Sequence, residues 1–221
     1  MNVFEALISR KSVRAFLNKA VEKEKIETIL NTAKHSPSGV NIQPWLVYVV
    51  SGKTKSKIET KIIDAFENGE KANMDYAYYP MQWNEPYKCR RKETGLLMYQ
   101  TLKIAKDDKE KQKEQWKANY RAFDAPVVVY FFIDSSLEKG SWLDYGMFLQ
   151  SIMLAATELG LGSCTQAALA EYPDIVRKEL NVREDKILLC GMALGYEDAN
   201  AAINSYRTER ITLEEFTKFY D

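Results

Sequence analysis

Residues 10–14 of the chain read RKSVR, and residues 36–45 read SPSGVNIQPW. The first segment places three cations and one hydroxyl within five residues. Such a cluster suits a dianion, because arginine offers a planar fork of donors and serine a rotatable one. The second segment gathers small polar residues between two prolines, which lower the entropy cost of holding a loop in place. Trp45 then leads into the apolar run 46–50, so this segment predicts a rigid polar turn that ends on a buried strand.

Three further segments follow in order along the chain: NYRAFDAP at 119–126, LGLGSC at 159–164 and RTER at 207–210. Together with the first two segments they resemble the FMN-dependent nitroreductase family, and the resemblance covers essentially the whole chain. It implies an α+β fold, with a central mixed sheet wrapped by helices and an intertwined homodimer that carries two sites at its interface. It also implies a single FMN-binding domain over residues 1–221, with an aromatic substrate-side insert at about 68–124.

Composition restricts the classes of function. The 221 residues are 46% hydrophobic, which is typical of one globular domain with a substantial core. Because 31 basic and 31 acidic residues cancel, no global field favours nucleic acid or an anionic membrane surface. The apolar stretch 125–133 is too short to span a bilayer, and the N-terminus has no signal-peptide pattern. We therefore expect a cytoplasmic protein without nucleic-acid or membrane partners.

Metal and dinucleotide motifs are missing. The three cysteines, Cys89, Cys164 and Cys190, form no C-x-x-C pair, and His35 is the only histidine, so we expect no metal site. Cys164 is expected to be a packed thiol. The glycines at 160 and 162 lack the third glycine and the preceding strand of a dinucleotide fingerprint.

Hydrophobic periodicity predicts helices that alternate with apolar strands and outnumber them, which indicates an α+β or mixed α/β class. Residues 68–88 differ in kind, because aromatic side chains lie there among prolines without a regular period. Helix 143–159 is apolar nearly all round, which implies burial on every side in the core or at a subunit contact. The predicted helices are 3–10, 22–35, a charged helix from Gly52 to about 66, 90 to about 117, 143–159, one near Pro173 and an amphipathic segment from Leu213; the predicted strands are 46–50, one opened by Pro126, and 187–194.

The resemblance assigns a cofactor site. It implies that Arg10 and Ser12, with Arg210, hold the FMN phosphate. It also implies that Arg14 lies near N1 and O2 of the flavin ring, where a cation raises the reduction potential of the flavin. Lys11 is expected to contribute a backbone contact. Taken alone, the basic cluster would be read as solvated surface charge.

The remaining implied contacts concern the flavin ring and its ribityl chain. Polar contacts, partly from the second subunit, are implied for Pro37, Ser38, Gly39, Asn41 and Gln43. The backbone of Ala168, with Ala167 alongside, is implied to donate to flavin N5. An ordinary turn that ends a helix remains the alternative for 37–43, and Trp45 is expected in the core.

On the substrate side, Tyr76, Trp83, Tyr87 and Phe123 are candidates to stack on a flat acceptor. Packing in the core or at an interface is an equally open interpretation of these rings. No acid/base pair is visible in the sequence.

The resemblance implies an FMN-dependent oxidoreductase that transfers hydride from NADH or NADPH through flavin N5 to nitroaromatic or similar electron-poor acceptors, with ping-pong kinetics. Alternatives are a flavoprotein of the same fold with other chemistry, namely a dehalogenase, an enone reductase or a flavin-fragmenting enzyme, and a non-catalytic FMN-binding protein. A structural or interaction module without a cofactor is a further alternative. The sequence leaves open the choice of nicotinamide cofactor and the physiological acceptor.

Overall fold

The computed structural model describes residues 1–221. Eight helices surround four strands, so the expected α+β class is confirmed. The helices are α1 (Val3–Ser9), α2 (Lys23–Ala33), α3 (Gly52–Glu67), α4 (Tyr87–Thr101), α5 (Lys109–Tyr120), α6 (Lys139–Glu158), α7 (Pro173–Leu180) and α8 (Leu213–Phe216). The strands are β1 (Leu46–Ser51), β2 (Val127–Asp134), β3 (Gly162–Gln166) and β4 (Lys186–Gly195). Short 3₁₀ turns occur at 39–41, 122–124, 168–170 and 202–204.

The four strands form one sheet in the order β1-β2-β4-β3. Each neighbouring pair runs antiparallel, as shown by the pairing of Leu46 with Phe132 and of Cys164 with Ala193. The sheet is mixed only through an isolated parallel bridge between Ser12 and Ser163. That bridge attaches the cationic segment 10–14 to the edge strand β3.

Strand β2 is the centre of the core. Residues 127–133 are buried on both faces, because helices cover both sides of the sheet and successive side chains point in opposite directions. Tyr130 and Phe132 pack in one cluster with side chains of α3 and α7, whereas Phe131 and Ile133 pack in a second cluster with α2 and α6. Trp45 stacks on Phe148 of α6 at 4.6 Å between ring centroids, which confirms its expected place in the core.

Two element predictions need correction. Residues 162–166 form the edge strand β3, which was not among the predicted strands. The predicted helix 90–117 is two helices, because Lys103 takes a left-handed conformation (φ 53°) after α4 and the Asp108 side chain caps a new start for α5. Helix α6 leaves Leu143 75% exposed in the single chain, so the core alone does not bury it on every side. Burial at a subunit contact, the other interpretation, stays a prediction.

Residues 68–86 connect α3 to α4 without a helix or strand, as expected. The first part of this segment is fixed to the body, because Asp75 pairs with Arg177 at 2.6 Å and accepts the backbone N–H of Leu188 at 2.8 Å. The second part, from Tyr78 onward, extends towards α4 and α5. None of the helices has the length and apolar character needed to cross a membrane.

Candidate functional site

Two cavities lie side by side between segment 10–14, β3, α4 and the C-terminal residues 206–210. The first, of about 410 Å³, is called the cationic pocket and is lined by Arg10, Ser12, Arg14, Arg207 and Arg210, among others. The second, of about 340 Å³, is called the aromatic pocket and is lined by Tyr78, Tyr79, Tyr99, Trp116 and Phe123, among others. Arg14 lines both, so the two pockets adjoin at this residue.

The cationic pocket concentrates positive charge that the protein itself leaves unneutralised. Its four arginines, Arg10, Arg14, Arg207 and Arg210, make no salt bridge with a carboxylate. Burial, followed by repulsion from Arg210 and Arg207, lowers the pKa of the Arg10 guanidinium. A dianion bound here would relieve that repulsion and accept charge-assisted hydrogen bonds.

Hydrogen bonds to the sheet and to the C-terminal region position segment 10–14. The N–H of Val13 donates to the Ser163 carbonyl at 3.0 Å, and the N–H of Arg14 donates to Asn204 Oδ1 at 2.8 Å. Asn204 is buried and donates in turn to the Ala15 carbonyl at 2.9 Å. A Cβ on Gly162 would stand 2.7 Å from the Val13 side chain, so a glycine is needed for this close approach.

Arg14 and Lys11 have different environments. Arg14 lies where the two pockets meet, and its Nη1 donates to the Ser12 carbonyl at 3.3 Å and to the Tyr206 hydroxyl at 3.4 Å. Lys11 instead pairs with Glu197 at 2.6 Å and donates to the Asn204 carbonyl at 2.8 Å. Lys11 also lines the cationic pocket, but Glu197 already neutralises its charge. The expected backbone contact stays a prediction.

The aromatic pocket combines rings on one wall with backbone on the other. Ala167 and Ala168 line it immediately after β3. Phe123 also lines it, and this ring is held within a run of three left-handed residues, 122–124. Such a run is unusual for residues with a Cβ, and it turns the chain between α5 and β2. A flat ligand can lie between the rings and the Ala167–Ala168 backbone.

Of the four predicted substrate-side rings, only Phe123 lines this pocket. Tyr76 points into the core, where its hydroxyl donates to the Leu189 carbonyl at 2.6 Å and its ring contacts Trp142. Trp83 supports the pocket from behind, with its ring 5.5 Å from that of Tyr79. Tyr87 is 61% exposed at the start of α4. The irregular spacing of these aromatic residues gave no signal to separate Tyr78 and Tyr79 from the rest.

The predicted ring-contact residues of the polar turn, Pro37, Ser38, Gly39, Asn41 and Gln43, line neither pocket. The turn is nevertheless built rigidly. Asn41 and Gln43 are left-handed (φ 59° and 47°), and the Gln43 N–H donates to Ser38 Oγ at 3.0 Å. The Gly39 N–H donates to Asp144 of α6 at 3.1 Å, which fixes the turn to the same helix that exposes Leu143.

Several residues at the site had no clear sequence signal. Arg207 and Tyr206 line the cationic pocket, and Gln166 and Glu171 line the aromatic pocket. Gln166 Oε1 is buried and accepts no hydrogen bond within the chain, whereas its Nε2 donates to the Asn119 carbonyl at 3.1 Å. Since buried carbonyl oxygens are normally hydrogen-bonded, a ligand N–H fits this position. For Arg207 the one sequence signal was its place beside Arg210 in the segment RTER at 207–210.

The fold and the two pockets define a protein that binds a flat aromatic ligand carrying a phosphate. A family model described as the nitroreductase family matches residues 7–196, and the chain belongs to that family.

Individual relatives agree over the full length. The chain is 36% identical over 217 residues to the 4-nitrobenzoate reductase of Pseudomonas putida, covering 98% of this chain and 95% of that protein. Its structure superposes with a TM-score of 0.97, at 35% identity and full coverage of both chains, on the FMN and NADPH-dependent nitroreductase NfnB from sphigopyxis sp. strain HMH. The FMN-dependent nitroreductase NfnB from Mycobacterium smegmatis, crystallised with NADPH, gives 0.94 at 33% identity, covering 99% of this chain and 97% of that one.

Proposed function

We propose that this protein is an FMN-dependent NAD(P)H oxidoreductase that reduces nitroaromatic and similar electron-poor compounds. The observation that carries the proposal is a pocket lined by four arginines, none paired with a carboxylate, that adjoins an aromatic pocket at Arg14. Full-length similarity to proteins named as nitroreductases supports the same reaction class.

The residues present fit FMN. Arg10, Ser12, Arg207 and Arg210 offer charged and hydroxyl donors suited to the phosphate. Gln166 Oε1 lacks a donor within the chain, and the flavin ring carries an N–H that can supply one. The backbone at Ala167 and Ala168, which lines the aromatic pocket, remains our candidate for the contact with flavin N5.

When bound, FMN supplies the redox chemistry by taking two electrons from NAD(P)H and passing them to the acceptor. The chain contributes binding, orientation and charge. Arg14 supplies positive charge between the two pockets, which favours the electron-rich form of the cofactor. Tyr78, Tyr79 and Phe123 enclose the space in which nicotinamide and acceptor bind in turn, so we infer ping-pong kinetics.

The site is proposed to be completed by a second copy of the chain. Leu143 and Met147 of α6 are 75% and 41% exposed, although α6 is otherwise the apolar helix of the core. The turn 37–43 is fixed to α6 through Gly39 and Asp144. A homodimer that covers α6 would therefore bring Asn41 and Gln43 to the partner's flavin.

The expected cytoplasmic location remains part of the proposal, because NAD(P)H is recycled there.

The test of the proposed function is cofactor binding followed by pocket variants. Added FMN should stabilise the cofactor-free protein by about 3 kcal/mol when it exceeds its Kd about a hundredfold. Arg10→Gln and Arg210→Gln should each reduce this stabilisation, whereas Arg183→Gln, an exposed residue paired with Asp185, should not. A protein that gains no stability from FMN would contradict the proposal.

A further inference from the structure

A single carboxyl group lines the aromatic pocket, that of Glu171. Glu171 follows the 3₁₀ turn 168–170, and its backbone N–H donates to the Ala168 carbonyl at 3.2 Å. Glu171 therefore lies one turn along the chain from Ala168, whose backbone is the candidate contact with the flavin. The Tyr120 hydroxyl donates to Glu171 Oε2 at 2.5 Å, and Trp116 Nε1–H donates to the Tyr120 oxygen at 2.9 Å.

This arrangement orients one carboxyl oxygen and leaves the other free. Oε1 of Glu171 accepts no hydrogen bond within the chain, while Tyr120 is buried and fixes Oε2. The rings of Tyr120 and Tyr172 pack edge to face with their centroids 5.8 Å apart, which holds the Tyr120 hydroxyl in place. Because Glu171 lines the aromatic pocket, its Oε1 remains available for a hydrogen bond with a ligand there.

Burial raises the pKa of the Glu171 carboxyl, and the Tyr120 hydrogen bond opposes part of that shift. The proton therefore stays on the acid at higher pH than on an exposed glutamate. The other titratable or charged groups near it are Tyr120 of α5, Tyr172 of its own segment, and, around the pocket, Arg14, Cys164, Tyr78, Tyr79 and Tyr99. Burial also raises the pKa of Tyr120, Tyr78 and Cys164, which leaves the carboxyl of Glu171 as the strongest acid among them.

Nitro reduction needs such an acid. In the first two-electron step, ArNO₂ + NAD(P)H + H⁺ gives ArNO + NAD(P)⁺ + H₂O. One N–O bond breaks and two O–H bonds form; the nitro nitrogen is reduced and the nicotinamide is oxidised. NAD(P)H supplies, through the flavin, both electrons and one of the two hydrogens. The second hydrogen arrives as a proton and goes to the departing oxygen.

We propose that Glu171, positioned by Tyr120, donates this proton to the acceptor oxygen. This inference rests on the proposed function and adds a residue role to it. Solvent returns the proton to the carboxyl between turnovers.

The decisive variant is Glu171→Gln, which keeps the shape and an oxygen for Tyr120 but removes the acid. Reoxidation of the reduced protein by a nitroaromatic should slow by about 100-fold or more, the usual contribution of a positioned acid. Bleaching by NAD(P)H should be unchanged, and so should reoxidation by ferricyanide, which takes electrons without a proton. The matched control is Glu70→Gln, because Glu70 is exposed and lies outside the aromatic pocket.

Tyr120→Phe tests the positioning role through the pH profile. In the native protein nitro reduction should fall as pH rises through the pKa of Glu171. Loss of the Tyr120 hydrogen bond should raise that pKa and move the falling limb to higher pH, whereas Glu171→Gln should remove the limb. Infrared difference spectra of the protein without FMN should show a protonated carboxyl band that persists to higher pH than that of an exposed glutamate and that Glu171→Gln lacks.

Nitro-dependent reoxidation of Glu171→Gln at the native rate would overturn the inference. If that variant does not fold, the native protein provides a second test. Its reoxidation by a nitroaromatic without a solvent deuterium isotope effect would also contradict the inference. A native protein that NAD(P)H does not bleach would instead contradict the proposed function, so the two failures are distinguishable.

Discussion

At the scale of single residues, Arg14 connects the two halves of the site. Replacement by glutamine removes its positive charge but keeps hydrogen-bonding capacity. We expect the Kd of FMN to rise by about tenfold, equivalent to about 1.4 kcal/mol, and bleaching by NAD(P)H to slow. Equilibrium titration and anaerobic stopped-flow absorbance measure the two effects. Unchanged binding together with unchanged reduction would contradict the role of Arg14; Arg183→Gln is the matched control.

Tyr76 is assigned to the core because its hydroxyl donates to the Leu189 carbonyl at 2.6 Å. Tyr76→Phe should lower the free energy of unfolding by about 1–2 kcal/mol, since it leaves a buried carbonyl without its donor. The KM for a nitroaromatic acceptor should not change. Denaturant unfolding and steady-state kinetics provide the measurements, and a raised KM at native stability would return Tyr76 to the substrate side. The exposed Tyr87→Phe should change neither quantity.

Sequence reading was effective at the residue scale where side-chain type alone determines the chemistry. Arg10, Ser12 and Arg210 were predicted as one cluster from residue type and family resemblance, and the structure places them around one pocket. Tyr76 and Tyr79 could not be separated in advance, because both are tyrosines in an irregular segment and only the hydrogen bond to Leu189 decides which one faces inward. Glu171 had no sequence signal, since its role depends on the distant Tyr120.

At the scale of elements, α3 carries a buried ion pair whose energetics depend on pH. Glu59 contacts Lys55 at 2.6 Å, both side chains are 12% exposed, and burial raises the pKa of the Glu59 carboxyl to about 7. Between the unfolded value of about 4.5 and this value, the folded state binds more protons than the unfolded state. The contribution of Glu59 to stability therefore falls as pH rises through that window and levels off above it.

The double variant Lys55→Met with Glu59→Gln removes both charges and isolates this contribution. Between pH 5 and pH 8 the free energy of unfolding of the native protein should fall by about 2 kcal/mol relative to that of the variant. Urea unfolding at both pH values measures it. The raised pKa of Glu59 would be contradicted if the difference in unfolding free energy between the two proteins did not change with pH, or if the native protein gained stability relative to the variant as pH rises.

Elements with strong apolar patterns were predicted well, and those defined by capping or pairing were not. Strand β2 was predicted from the apolar residues that follow Pro126, and residues 127–133 are indeed buried. Strand β3 was missed, since Ser163, Thr165 and Gln166 take their strand conformation from pairing with β4. The break between α4 and α5 was also missed, because the charged residues around it favour helix on either side.

At the scale of the whole molecule, the proposed dimer makes the turn 37–43 part of the site. Leu143→Glu places a charge on the exposed apolar side of α6 and should convert the protein to a monomer that binds FMN at least about tenfold more weakly. Analytical ultracentrifugation and FMN titration test the two halves of this statement. A monomeric variant with native FMN affinity would contradict the contribution of the partner's turn. Lys139→Glu, at the exposed start of α6, is the control.

The overall architecture could be predicted because five ordered motifs extend from residue 10 to residue 210, and a fold that brings these ends together is strongly constrained. The structure does bring Arg10 and Arg210 to one pocket. What the sequence could not provide is the placement of the turn 37–43 relative to a flavin. In the proposed dimer that relation depends on a second chain, which the periodicity of this chain does not describe.

The most direct test of the central claim is the visible spectrum of the purified protein with FMN, recorded anaerobically before and after NADH or NADPH and again after a nitroaromatic. The account predicts flavin bands that the reductant bleaches and the nitro compound restores. Bands that persist in the presence of both reductants, or a protein that binds no FMN, would contradict it.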